Sequence, residues 1–479
     1  MSYELIYRTL VPGAPLHRRT DGDEFHSSLF SLRAKLNSFL LENTVIPGLQ
    51  KPTLVSSFAG TIDRILFCFP IFSDEKPDET IARENGYQSV IRALRTGTKF
   101  IVVHHESIKE KIETWFSASG HKTENVQFVS FPDYVRLTDW AEDAYVSVKD
   151  AADSSSYLME PWEFKRSGDA LIADAVEELS DIKASQAPLI FQGGNCLVGD
   201  EFWMLGKDYF VDTIEMLNGQ RPPATPPEGV NTDDFAKELF IKYIDSKRKL
   251  LLIGTKKPIP LRAYMGTKLG TEFYLDIAAG GAGTFQPIFH IDMFITLTGL
   301  NAQGKFELLV GSPALAEKIL ETKSPFALND VYDSIAKSLS DLGFSVKRNP
   351  LVHRPSLGET YIFSELKKMS MQAGYEALQG AINELSASGE TDTSMVRIRD
   401  WHHITWNNCL VENSVSKGKH VYLPTFGYPP YDDLKAIDDE MKSMWEALGF
   451  TVHQLADFNL FARRQGVVHC IKKYLTRGE

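Results

Sequence analysis

Apolar runs of four to six residues recur along this chain, each followed by an amphipathic stretch and then by a second apolar run. Arg64–Phe69 predicts a strand, Arg83–Leu94 a helix and Lys99–Val103 a strand, and the alternation continues with a helix over Glu106–Ser117 and a strand at Val126–Val129. The same grammar returns in a helix over Asp234–Tyr243 before a strand at Lys249–Ile253, and in the strand Phe306–Val310, a helix over 327–342 and the strand Gly343–Val346. Near the C-terminus, Asn407–Glu412 predicts a strand, Lys417-Gly418 a turn and His420–Pro424 the returning strand. Leu434, Ile437, Met441, Met444, Trp445 and Leu448 then fall on one face of a helix over 432–448. Gly449 occupies a helix C-terminal glycine position, Phe450–Val452 starts another strand, and a last strand is expected to deliver Cys470. The junction Leu342-Gly343-Phe344-Ser345-Val346 echoes Leu448-Gly449-Phe450-Thr451-Val452, as expected of an α/β domain built from repeated strand–helix–strand units.

Between these units lie stretches that read as loops. Arg221–Pro227 contains four prolines and predicts a stiff loop within an insertion over 206–232, and the polar run 384–395 predicts a surface linker. The glycine-rich run 278–284 lacks both a lysine and a following helix, so it reads as a close approach to Phe285 rather than a phosphate loop. Residues 1–52 are expected to form an extension packed on a main body that runs from 53 to 479.

Composition narrows the functional classes. With 43% hydrophobic and 24% charged residues the chain has the make-up of a soluble globular protein, and its net charge of −12 disfavours nucleic acid, which needs a basic face. The acidic balance favours cationic substrates. No apolar run approaches the ~20 residues of a membrane span, and the N-terminus shows no basic-then-apolar leader, so a cytoplasmic location is expected. The four cysteines, Cys68, Cys196, Cys409 and Cys470, are widely spaced without a CxxC pair, which argues against a structural zinc site or a disulfide framework and suits a reducing compartment.

Four places carry candidate chemistry. Asp143, in Trp140-Ala141-Glu142-Asp143, puts a carboxylate just before a strand. Gln192-Gly193-Gly194-Asn195 interrupts an apolar strand with a glycine pair that lets something approach the backbone closely. His290-Ile291-Asp292-Met293 has period two and, as a strand, would present His290 and Asp292 on one face. Cys470 follows Gly466-Val467-Val468-His469. Singly, each has an ordinary structural use: a turn cap, a bulge, a surface pair, a buried small apolar residue. Together, two carboxylates can grip a guanidinium by paired charged hydrogen bonds, a histidine can move protons, and a thiolate can attack the carbon so held.

On these residues the chain resembles the peptidylarginine deiminases and agmatine deiminases of the pentein, or guanidino-group-modifying, superfamily. The matching stretches are Asp143 in its Trp-Ala-Glu-Asp setting, Gly193-Gly194-Asn195, His290-Ile291-Asp292, Gly418-Lys419-His420, Leu423-Pro424 with Phe426-Gly427, Asp457-Phe458 and Gly466–Cys470, in the family's order. The resemblance implies a five-bladed, pseudo-symmetric α/β propeller with a central site and no required cofactor. It implies Cys470 as nucleophile, His290 as proton carrier, Asp143 and Asp292 as the guanidinium clamp, and substrate contacts from Gln192, Asn195 and Arg166, the last to a substrate backbone. Glu142 stands where agmatine deiminases carry an arginine, Gln192 where they often carry a glutamate, and no acidic calcium-loop pattern is present. The expected activity is hydrolysis of a guanidino group, in an arginine-containing peptide or protein first and in agmatine or free arginine second. Amidino transfer and a catalytically retired guanidino-binding protein are the remaining alternatives.

Overall fold

The computed structural model describes residues 49–479, apart from 167, 221, 260–263, 279–284, 327 and 390–391. The expected N-terminal extension therefore lies outside the described residues up to 48, as does the glycine-rich run from 279 onward. Residues 50 and 51 are already stitched to the body, because both backbone N–H groups donate to the Asp150 carboxylate at 2.9 and 3.0 Å.

In chain order, β1 (Pro52–Leu54) leads to β2 (Thr61–Phe69), α1 (Pro77–Ala93), β3 (Lys99–His105), α2 (Lys109–Ala118) and β4 (Val126–Phe131). Then come β5 (Val146–Asp150), β6 (Ser156–Glu160), α3 (Ile172–Leu179) and β7 (Ile182–Gln186). The next unit comprises β8 (Cys196–Val198), β9 (Phe202–Gly206), α4 (Lys207–Leu217), α5 (Thr232–Tyr243) and β10 (Lys249–Ile253), followed by β11 (Tyr264–Leu269) and β12 (Glu272–Ala278). β13 (Ile295–Leu300), β14 (Phe306–Ser312), α6 (Pro313–Leu320), α7 (Asn329–Asp341) and β15 (Ser345–Ile362) precede α8 (Phe363–Ala373), α9 (Glu376–Ala387) and β16 (Met395–Thr405). The chain ends with β17 (Leu410–Ser414), β18 (Gly418–Thr425), α10 (Lys435–Ala447), β19 (Thr451–Asp457), α11 (Asn459–Arg463) and β20 (Lys472–Gly478).

The strands form five sheets among the described residues, and each contains one repeated pattern. Two strands pair antiparallel, and a third, reached through a helix, joins the second in parallel. The pattern is β5-β6-β7, β8-β9-β10, β13-β14-β15 and β17-β18-β19. In the fifth sheet the C-terminal β20 pairs antiparallel with β2, near the start of the described chain, and β2 pairs parallel with β3. The helix-to-strand junctions repeat too. After α2, α7 and α10, Gly120, Gly343 and Gly449 adopt φ of +77°, +98° and +82°, a conformation glycine takes without a Cβ clash. In each, the residue after the glycine donates back into the last helical turn: His121 to the Phe116 carbonyl, Phe344 to Leu339 and Phe450 to Trp445, at 3.1 to 3.2 Å. Apolar strand residues and the inner helix faces bury one large core that includes Phe67, Tyr87, Met204, Trp406 and Trp445.

Two expectations need correction. The segment 206–232 is not a plain loop insertion: Lys207–Leu217 is helical, and only the stretch between α4 and α5 is loop. The linker 384–395 is helical as far as Ala387, because Leu385 is buried in an apolar cluster. The principal elaboration is instead an arm in which the outer half of β15, with β16, β12 and β11, packs beneath α8 and α9 around Leu275, Ile277, Leu366, Leu378 and Ile398. Asp276, fully buried, pins this arm: it accepts two hydrogen bonds at 2.6 Å from Arg399 and one at 2.7 Å from Trp401 Nε1. Replacing one member of a buried ion pair strands its partner's charge, at a cost of about 3–5 kcal/mol. Asp276→Ala should therefore accelerate amide hydrogen exchange in β11, β12 and the first half of β16, while the amides of β17–β19 keep their protection.

Candidate functional site

Apart from Arg166, the residues singled out from the sequence sit, together with Asn407, Asn408 and His469, in short turns that lead into the first strand of each antiparallel pair. Asp143 precedes β5, Gln192–Asn195 precede β8, His290 and Asp292 precede β13, Asn407 and Asn408 precede β17, and His469 and Cys470 precede β20. Hydrogen bonds join each turn to the next. The Gly193 N–H donates to the Asp143 carbonyl at 3.3 Å, and Ile291 N–H to Asn195 Oδ1 at 3.0 Å. Thr296 Oγ1 donates to the Asn407 carbonyl at 2.7 Å, and His469 N–H to Asn408 Oδ1 at 2.9 Å. Finally, Glu142 N–H donates to the Cys470 carbonyl at 3.1 Å, which closes the circuit.

Three local readings change. His290–Met293 is not a period-two strand; Ile291–Met293 form a tight helical turn, in which Met293 and Phe294 N–H bond back to His290 and Ile291. His290 and Asp292 nevertheless face one place, since a Cβ on Gly194 would meet His290 Nδ1 at 2.5 Å and Asp292 Oδ2 at 3.2 Å. The glycine pair likewise sits in a helical turn, over Gly193–Asn195, with β8 starting at Cys196. Cys470 lies ahead of its strand rather than in it, so its side chain is presented by a turn.

The site is dry: Asp143, Gln192, His290, Asp292 and Cys470 are each no more than 6% exposed. His290 Nε2 lies 2.8 Å from Gln192 Oε1 and 3.4 Å from the Tyr209 hydroxyl. With the Gln192 oxygen toward the ring, Nε2 carries the ring proton and Nδ1, 3.7 Å from Asp143 Oδ1, is the basic nitrogen. Burial, with Arg166 and Lys473 nearby, pulls His290 down to about 3, so the imidazole is neutral in the empty site. Asp292 Oδ2 accepts from His469 Nδ1 at 2.7 Å. Burial raises Asp292 well above the usual carboxylate range, helped by the negative charges of Glu142 and Asp143. Cys470 is also pushed up, by burial first and then by Asp292 and Asp143, so its sulfur rests as the thiol.

Not every expected contact is made. Asn195 does not reach the carboxylates; its Oδ1 accepts from Ile291 N–H and from Gln286 Nε2, both at 3.0 Å, so it sits behind the turn that carries His290. Arg166 does reach the centre, yet its guanidinium is engaged by Asp143 Oδ2 at 2.9 Å and Asp169 Oδ2 at 2.8 Å. Three participants were given no role from the sequence. Glu142 is held between Lys472 and Lys473 at 2.7 and 2.9 Å, His469 braces Asp292, and Asn408 reaches Cys470. The adjacency of Glu142 to Asp143 and of His469 to Cys470 was the signal for the first two.

Comparison with solved structures gives full-length likenesses. Agmatine deiminase of C. jejuni superposes with a TM-score of 0.53 at 11% identity, covering 91% of this chain and 99% of the other. Agmatine deiminase of Enterococcus faecalis gives 0.53 at 12% identity over 90% and 99%. A candidate agmatine deiminase gives 0.55 at 13% over 90% and 98%. The chain shares the mixed α/β fold of these agmatine deiminases. No family model matches the sequence, and no curated protein matches it by sequence. At such identities the shared property is the fold, and the chemistry has to be argued from this chain's own side chains.

The charges around Cys470 set a testable pH dependence. Because the thiol is raised, its thiolate fraction at neutral pH is small and grows tenfold per pH unit below the pKa. The rate of Cys470 alkylation by iodoacetamide should climb about tenfold per unit between pH 6 and 8. Asp292→Asn removes a negative charge that opposes the thiolate, so it should speed the reaction severalfold at pH 7; Cys470→Ala identifies the labelled residue.

Proposed function

We propose that this chain is a cysteine-dependent deiminase that hydrolyses a guanidino group to a ureido product and ammonia. The observation that carries the reading is a pair of buried carboxylate oxygens, Asp143 Oδ1 and Asp292 Oδ1, that accept no hydrogen bond although their residues are 4% and 1% exposed. A buried acceptor left without a donor costs about 1–3 kcal/mol, which argues for a ligand that brings donors and positive charge together. A guanidinium is planar, cationic and rich in N–H groups. The five repeated units and the circuit of hydrogen bonds between their turns support the finer architectural reading, five blades around this centre.

In this reading the guanidinium lies between Asp143 and Asp292 with its carbon against Cys470 Sγ. Its charge offsets the two carboxylates that hold the thiol up, so binding itself favours the thiolate. The sulfur proton passes to His290 Nδ1, the S–C bond forms, and His290 returns a proton to the departing nitrogen, releasing ammonia and leaving a covalent thiouronium. Water then gives a proton to His290 and attacks the carbon. The C–S bond breaks, the new hydroxyl's proton passes to the sulfur, the neutral ureido product leaves, and His290 gives its proton up to solvent, so the nitrogen is released overall as ammonium. None of these steps calls on a metal or an organic cofactor.

Burial of the site and the commitment of Arg166 to Asp143 and Asp169 support a small guanidine such as agmatine or free arginine over the arginine of a peptide. An arginine engaged by two carboxylates has little left to offer a peptide backbone. The test is ammonia and ureido-product release from agmatine, arginine and an N-blocked arginyl peptide. Turnover of a small guanidine is expected, and Cys470→Ala should lower kcat by at least about 10³-fold while the fold survives. Turnover of the peptide alone would move the substrate to protein arginine. Product that forms only when an amine acceptor is supplied would make the reaction amidino transfer, and silence on every substrate would leave a guanidino-binding protein.

A further inference from the structure

Cys470 meets a difficulty that the clamp and the histidine do not remove: in the empty site its sulfur faces burial and two carboxylates. Two hydrogen bonds oppose that difficulty: one with the Val467 backbone and one from the side-chain amide of Asn408, whose Nδ2 lies 3.2 Å from Cys470 Sγ. Met293 Sδ, 3.9 Å from the sulfur, is a weak acceptor and offers no proton.

The orientation of the amide follows from its surroundings. Asn408 Oδ1 accepts two backbone N–H groups, from His469 at 2.9 Å and Cys470 at 3.2 Å. An N–H donor can meet only the oxygen end of an amide, so Nδ2 must point at the sulfur. The turn is fixed further by His469 N–H, which also approaches the Asn408 backbone carbonyl at 3.2 Å. Asn408 is itself fully buried, so the arrangement is screened from water. Toward both Asp292 and Cys470 the effect of this side chain is to favour the ionised form.

We propose that Asn408 is a catalytic residue of this site, which donates an N–H···S hydrogen bond to the Cys470 thiolate and holds the sulfur in line for attack. The role rests on Cys470 being the nucleophile of the proposed deiminase, but the hydrogen bond has a consequence that needs no substrate. A donor facing a sulfur stabilises the thiolate over the thiol, because the thiolate is much the better acceptor.

Asn408→Asp is the informative variant. It retains an oxygen for the His469 and Cys470 N–H groups and so preserves the turn, while it replaces the donor with a group that repels the thiolate. Iodoacetamide labelling of Cys470 across pH 6–9, with Cys470→Ala as the blank, reads the thiol directly. We expect the profile of Asn408→Asp to shift to higher pH by a unit or more, and labelling at pH 7 to fall at least tenfold, with the thermal unfolding temperature little changed. Asn408→Ala, which also removes the acceptor, should shift the profile in the same sense and lose stability besides. With a turned-over guanidine, kcat should fall by a larger factor than kcat/KM loses through binding. An unshifted labelling profile in a folded Asn408→Asp protein would overturn the proposal and reduce Asn408 to a brace for the turn. A shifted profile in a chain that turns over no guanidine would keep the hydrogen bond and discard the deiminase reading.

Discussion

The organisation of this protein depends on keeping several carboxylates ionisable where there is almost no water. Glu142, Asp143, Asp169 and Asp292 are all buried, against three cationic side chains, Arg166, Lys472 and Lys473. Glu142 shares the two lysines and Arg166 bridges Asp143 to Asp169, which leaves Asp292 with a neutral histidine for its partner. Four acids against three cations leave one negative charge too many if all ionise. Burial raises Asp292 and Cys470 alike, and the Asp292 charge opposes the thiolate. A monocation with several N–H donors would relieve that opposition. The electrostatic defect of the site thus suits the guanidinium of the proposed reaction, and it favours the Cys470 thiol while no such cation is bound.

Such a centre cannot be built from one element. Each turn contributes one or two side chains, and each is held by the turn beside it: Gly193 to Asp143, Ile291 to Asn195, Thr296 to Asn407, His469 to Asn408, and Glu142 to Cys470. The pairing of β20 with β2 makes this circuit possible, because it brings the last strand, and Cys470 just ahead of it, into the sheet that also holds the earliest parallel unit. Glycine is required at the closest approach. A Cβ at Gly194 would occupy the space between His290 and Asp292, and one at Gly193 would run into the Glu142 carbonyl and Lys473 Nζ.

Much of this was legible in the chain, for identifiable reasons. Apolar periodicity marks α1, α7 and α10 because their buried faces are continuous, and the echo between Leu342–Val346 and Leu448–Val452 reflects one helix-capping geometry used repeatedly. Asp143, His290, Asp292 and Cys470 stood out because their types make joint chemical sense. What escaped was whatever depends on contacts between distant segments. Asn408 and Cys470 are 62 residues apart, and Glu142 and Lys472 are 330 apart. No local pattern records such pairs. The period-two reading of His290–Met293 failed for a related reason: Asn195 captures the Ile291 N–H that a strand would have used, and the backbone closes into a turn. Periodicity was blind also to the length of β15, whose outer half continues past Pro355 only because β16 pairs with it as far as Ile362.

Arg166 shows how geometry can redirect an analogy. By position it matches an arginine expected to touch a substrate backbone, yet its guanidinium already lies against Asp143 and Asp169, stacked 5.0 Å over the Phe164 ring. There it does for Asp143 what Lys472 and Lys473 do for Glu142, setting a cation against a buried carboxylate. It also leaves Asp143 Oδ1 as the oxygen facing His290, so a bound guanidinium would meet Asp143 through one oxygen and Asp292 through another. In the proposed deiminase, a grip divided between two carboxylates in this way would read the guanidino head itself rather than the chain that carries it.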